Sequence, residues 1–103
     1  MKKIALITGS SRGIGAATAL CLAKRGYEVC INFSRDGKAA GEVAAAVDHA
    51  GGKAIAVQAD VSSERAVEGL FREIDERLGR LTALVNNAGI LLPQSRVESM
   101  TAI

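Results

Sequence analysis

Ile7-Thr8-Gly9-Ser10-Ser11-Arg12-Gly13-Ile14-Gly15 joins two contrasting patterns near the start of the chain. Just before it, Ile4-Ala5-Leu6-Ile7 is an unbroken apolar run, as in a strand buried on both faces. After it, Ile14, Thr18, Cys21, Leu22 and Arg25 recur at helical spacing, and Gly26 ends that helix. Glycines between a strand and a helix permit a tight turn and a close approach of backbone to phosphate. The helix N-terminus then offers free N–H groups and partial positive charge to an anion. The spacing here is G-x-x-x-G-x-G, neither the usual dinucleotide pattern nor a P-loop, since no G-K-S/T follows. Triphosphate hydrolysis is therefore disfavoured. A tight βα turn without a ligand is the bland alternative, and its place at the head of a βαβ unit weighs against it.

The rest of the chain repeats the alternation. Val29-Cys30-Ile31-Asn32-Phe33 reads as a second strand. Ala40, Val43, Ala44 and Val47 mark a second helix, with Lys38, Glu42 and Asp48 on its wet side and Gly51-Gly52 closing it. Ala54-Ile55-Ala56-Val57 is a third strand. Ser62 is the expected N-cap of a third helix, with Glu64 in its positive first turn. Val67, Leu70, Phe71, Ile74 and Leu78 form its apolar stripe, and Gly79 ends it. Leu81 to Val85 makes a fourth strand that runs into Asn86. The sum is an α/β fold: a doubly wound parallel sheet of Rossmann type, order 3-2-1-4, in three α/β/α layers. Ligands in such sheets bind beyond the strand C-terminal ends at the switch point, here between the first and fourth strands. Thr8 to Gly15, Asp60-Val61 and Asn86 to Gly89 all arrive there.

Composition narrows the function classes. The 103 residues make one domain, spanning 1–103, and 49% apolar with 23% charged residues is a globular balance. A net charge of +2 gives no argument for nucleic acid or an anionic membrane. No apolar run nears the ~18 residues of a membrane span, and Thr8 to Arg12 interrupt any signal-peptide pattern. Cys21 and Cys30 are too few for a disulfide scaffold or a zinc site, which points to a reducing, cytoplasmic setting. Both are expected to be buried small hydrophobes. His49 lies late in a helix and reads as a surface residue, not a catalyst or metal ligand.

The loop Thr8 to Gly15, the acidic–apolar pair Asp60-Val61 and the run Asn86-Asn87-Ala88-Gly89 together resemble the short-chain dehydrogenase/reductase family. Its cofactor loop is T-G-x-x-x-G-x-G and its second signature is N-N-A-G after the fourth strand, both matched in order at the expected element ends. The resemblance covers nearly the whole chain and looks nearest to 3-oxoacyl-carrier-protein reductases and sugar or polyol dehydrogenases. It implies an oxidoreductase moving hydride between a nicotinamide cofactor and a small carbonyl or alcohol substrate. It also implies a homo-oligomer, dimer or tetramer. Carried over, Gly9, Ser10, Ser11, Arg12, Gly13, Ile14 and Gly15 hold the pyrophosphate side, Asp60 and Val61 take the adenine, and Asn87, Ala88 and Gly89 pass beside the cofactor ribose. Asn86 and Asn87 brace the central sheet. Asp60 could instead simply open the following helix.

The end of the second strand bears on the choice of cofactor. NAD sites often place an acidic residue about 20 positions beyond the glycines. Ser34-Arg35 stands there instead. A 2′-phosphate suits the forked donors of Arg35 and the hydroxyl of Ser34, and Arg12 can approach the same group. The resemblance therefore implies NADP. Asp36 is the counter-argument, since a one-residue shift would present a carboxylate and favour NAD.

The family's catalytic Ser, Tyr and Lys, the last two spaced Y-x-x-x-K, are not in these residues. Tyr27 is the single tyrosine, and Ile31 stands four positions later. The chain is therefore expected to be the N-terminal cofactor half of a longer single-domain enzyme. The alternative is a complete dinucleotide-binding module without turnover. Ile90, Leu91 and Leu92 are candidates for the start of a substrate pocket, and Thr101 for the cap of a further helix.

Overall fold

Alternation within the first apolar run sets up two cores. Ile4 and Leu6 point to one side of strand β1 (Lys3–Ile7), while Ala5 and Ile7 point to the other. The computed structural model describes residues 2–9 and 13–87. Along the chain β1 is followed by α1 (Gly13–Lys24), β2 (Tyr27–Phe33), α2 (Gly37–His49), β3 (Ala54–Gln58), α3 (Glu64–Arg77) and β4 (Ala83–Val85). The strands form one sheet in the order β3-β2-β1-β4, and every pair is parallel. This is the expected Rossmann-type topology. The α1 and α2 helices cover one face and α3 the other.

The two faces are packed differently. On the α3 side, Leu6, Ile55, Val57 and Leu84 of the sheet meet Val67, Leu70, Ile74 and Leu78. Each fully buried side chain of this kind contributes roughly 1.5–3 kcal/mol. On the other side the contact is made largely through small residues: Ala5, Ala19, Ala40 and Ala83 are buried there beside Ile7, Val29, Ile31, Val43 and Val47.

Several local expectations are corrected. The inward face of α1 is Gly15, Ala19 and Leu22, not Ile14, Thr18, Cys21 and Arg25. Ile14 is 78% exposed, and Cys21 lies at the surface. Most of α1 is apolar or small all round, so its sequence has no single helical phase. Close packing on Ala5 and Ile7 selects the smallest side chains to face the sheet. Cys30 is buried in β2 as expected, and burial pushes its thiol up to about 12, with the charge of Glu73 adding to the effect. The cap of α3 is Ser63 rather than Ser62: the Ser63 hydroxyl accepts from Ala66 N–H at 3.3 Å. Phe71 is partly buried beside the stripe. Strand β2 begins two residues earlier than read, at Tyr27, and β4 two later, at Ala83. Thr82 nonetheless continues the pairing, since its hydroxyl accepts from Ile4 N–H at 3.0 Å and its own N–H donates to the Ile4 carbonyl at 2.9 Å.

Candidate functional site

Because all strands run the same way, their C-terminal ends share one rim, and β1 lies between β2 and β4. Thr8 stands where β1 reaches that rim and is 1% exposed. Its N–H donates to the Val85 carbonyl at 3.0 Å, extending the contact with β4 by one residue. Its hydroxyl accepts from Asn87 N–H at 2.9 Å and donates to Asn86 Oδ1 at 3.0 Å. Asn87 Nδ2 donates to the Gly9 carbonyl at 3.2 Å. The start of the glycine loop is thus held by β4's exit through backbone and side chain together. Asn87 braces backbone, as expected, whereas Asn86 reaches the hydroxyl of Thr8.

Gly9 and Gly13 have φ of 60° and 65°, the left-handed region that strains any residue with a Cβ. No described atom lies within 4 Å of where a Gly13 Cβ would stand. Among the described residues, backbone conformation and not crowding therefore requires the glycine. Gly13 is also the first residue of α1, and the first N–H groups of a helix find no partner within the helix itself. Gly15 is buried against the sheet.

The second part of the rim lies at the exits of β2 and β3. Ser34 and Arg35 are exposed there, and the Ser34 carbonyl accepts from Gln58 Nε2 at 3.0 Å. Asp36 is the N-cap of α2, its Oδ1 accepting from Ala39 N–H at 3.0 Å. Asp60 is exposed, and its Oδ1 accepts from both the hydroxyl and the N–H of Ser62, at 2.6 and 3.0 Å. These bonds hold its carboxyl below the usual aspartate range, and the positive charge of Arg35 adds to them. Asp60 therefore does shape the turn into α3, yet both bonds fall on one oxygen and the carboxylate stays at the surface. Val61 is buried in the α3-side core.

Sequence reasoning missed Asn32. It is 2% exposed near the end of β2, and its amide accepts from Gly9 N–H and donates to the Ala59 carbonyl. The available signal was one amide in an otherwise apolar run. Ser10, Ser11, Arg12, Ala88, Gly89, Ile90, Leu91, Leu92 and Thr101 lie outside the described residues. Tyr27 begins β2 and pairs with Lys3 at the opposite end of the sheet, away from the rim. Among the described residues no cluster of His, Cys, Asp and Glu could hold a metal ion, and no helix is long and apolar enough to cross a membrane. His49 is exposed.

The family model described as short chain dehydrogenase matches residues 3–102. The chain belongs to that family. It is 54% identical over 99 residues to YgfF, an uncharacterised oxidoreductase of Escherichia coli (strain K12), covering 96% of this chain and 40% of that protein. It is 43% identical over 105 residues to a 3-oxoacyl-[acyl-carrier-protein] reductase of Synechocystis, covering 98% and 42%. The chain thus spans about two fifths of the length of these relatives. A different case is YusS, a short-chain dehydrogenase/reductase homolog of Bacillus subtilis (strain 168), 42% identical over 103 residues and covering 98% of this chain and 94% of that one. Among solved structures, a short-chain dehydrogenase/reductase of Serratia marcescens superposes with a TM-score of 0.82 at 36% identity, covering 95% of this chain and 43% of that one. The angucycline C-6 ketoreductase LanV, solved with bound NADP, gives 0.75 at 42% identity, covering 86% and 37%. Proteins of the family are oxidoreductases that bind NAD(P), and this rim corresponds to the part of the fold where such a cofactor is expected.

Proposed function

We propose that residues 1–103 are the cofactor-binding half of an NADP-dependent oxidoreductase that interconverts a carbonyl and an alcohol on a small-molecule substrate. The carrying observation is the braced rim, where Thr8 and Asn87 hold Gly9 at the exit of β1, ahead of the N-terminus of α1. Residues Gly9, Ser10, Ser11, Arg12, Gly13, Ile14 and Gly15 would receive the pyrophosphate. Asp60 would accept from the adenine amine, with Val61 behind it, and Asn87, Ala88 and Gly89 would line the ribose. When bound, the nicotinamide supplies or takes up the hydride. These residues orient it and keep its phosphates neutralised, while the Ser-Tyr-Lys proton machinery would come from beyond residue 103. A homo-oligomer working in the cytoplasm completes this reading.

The preference for NADP rests on Arg35. Its exposed guanidinium acts on Asp60, at the adenine end of the rim. Asp36, the residue that could have argued for NAD, is engaged as the N-cap of α2. Charge-assisted bonds to a 2′-phosphate are worth roughly 1.5–3 kcal/mol each, or about tenfold in affinity or more. In titration calorimetry of the full-length protein, NADPH should bind more tightly than NADH. Arg35→Ala should erase most of that difference while leaving NADH nearly unchanged. Tighter binding of NADH by the unaltered protein would reverse the cofactor assignment, and binding of neither would end the dinucleotide reading.

A second reading is a dinucleotide-binding module without turnover. It is supported by the lack of the family's Y-x-x-x-K pattern within residues 1–103. An assay following NADPH oxidation against simple ketones separates the two, since the module binds without consuming cofactor.

A further inference from the structure

The β1–β2 ladder ends at Ile7 opposite Ile31, whereas β2 continues against β3 to Phe33 opposite Gln58. On its β4 side the chain beyond Ile7 is still held by Thr8. On its β2 side the Asn32 side chain takes over where the backbone pairing stops. Its Oδ1 accepts from Gly9 N–H at 3.3 Å, and its Nδ2 donates to the carbonyls of Ala59 at 3.1 Å and Val57 at 3.4 Å. Gly9 opens the loop at the pyrophosphate end of the site. Ala59 directly precedes Asp60, at the adenine end. One buried amide therefore links the backbones of both halves of the rim across β2. An amide at 2% exposure is tolerated only where its polar atoms are bonded, and an apolar side chain of the same shape would fill the place without that requirement.

We propose that Asn32 is a positioning residue, which fixes the separation between the Gly9 turn and the Asp60 shelf so that both ends of one dinucleotide are met at once. This rests on the dinucleotide reading above. At 2% exposure Asn32 offers little surface to a ligand and acts on the rim through the backbones it holds. Its loss should spare each half-site and impair the binding of a ligand that spans them.

The test compares NADPH with adenosine 2′-monophosphate, which reaches the Arg35–Asp60 end alone. Both are titrated against the full-length protein and its Asn32→Leu and Asn32→Asp variants. Leucine keeps the branched shape and removes both ends of the link. Aspartate keeps an acceptor for Gly9 N–H and loses the donor to Ala59 and Val57, so it breaks the same link by a second route if the leucine variant fails to fold. In either folded variant NADPH should weaken by about tenfold or more, while adenosine 2′-monophosphate stays within about twofold of the unaltered protein. Equal weakening of both ligands would mean a general loosening and overturn the proposal, as would no change in either. If the unaltered protein binds neither ligand, the dinucleotide reading falls and takes this inference with it. If it binds both and the variants leave their ratio unchanged, the inference alone falls.

Discussion

Asp60 concentrates at a single residue the forces that shape the rim. Two hydrogen bonds from Ser62 meet on one carboxylate oxygen, and Arg35 adds positive charge nearby. The folded-state carboxyl is held below the ordinary aspartate value of 3.8. A depressed value of this kind adds stability that is complete above the unfolded-state value and is lost as pH falls through the folded one. The carboxyl resonance of Asp60, followed by NMR on acidification, should give a midpoint below 3.8. Ser62→Ala should move that midpoint upward, and an unmoved midpoint would assign the depression to the Ser62 N–H and Arg35 instead. At this scale the sequence announces residues through their company. Asp60-Val61 stands out as an acid beside an apolar residue after a strand, and Asn86-Asn87 as paired amides. Asn32 does not stand out, because its partners Gly9 and Ala59 are 23 and 27 positions away and only folding brings them to it.

Among the elements, α3 is the one whose pattern and structure agree most closely. Its stripe is strongly segregated, so burial of Val67, Leu70 and Ile74 follows from spacing alone. Its start is harder to read, because Ser62 and Ser63 are both good caps and the choice depends on Asp60 drawing Ser62 into its own turn. Ser63→Ala should therefore cost about 1 kcal/mol in urea denaturation, and Ser62→Ala clearly less. The opposite ranking would return the cap to Ser62. Helix α1 shows why periodicity can mislead. With Ile14, Leu20, Cys21 and Leu22 spread around a helix rich in alanine, several faces are plausible, and the sheet surface opposite decides among them.

Across the whole molecule, the order β3-β2-β1-β4 was readable because strands and helices alternate without interruption and the glycine loop marks the first turn. The two cysteines report on different depths of that structure. Cys21 is exposed and Cys30 lies in an inner strand with its thiol pushed up to about 12. With iodoacetamide at mildly alkaline pH, peptide mass mapping should find Cys21 modified in the native protein and Cys30 modified only when denaturant opens the sheet. Native labelling of Cys30 at the same rate as Cys21 would contradict the central place of β2.

The contrast between the two faces of the sheet also governs how this sequence can drift. Beside α3, one branched aliphatic residue can replace another by modest repacking. Beside α1 and α2, Ala5, Ala19, Ala40 and Ala83 hold the helices close, and any added methylene must push a helix away. A randomised library selected for folded protein should accordingly return almost nothing larger than alanine, serine or glycine at those positions, while leucine, isoleucine, valine and methionine trade places on the other side.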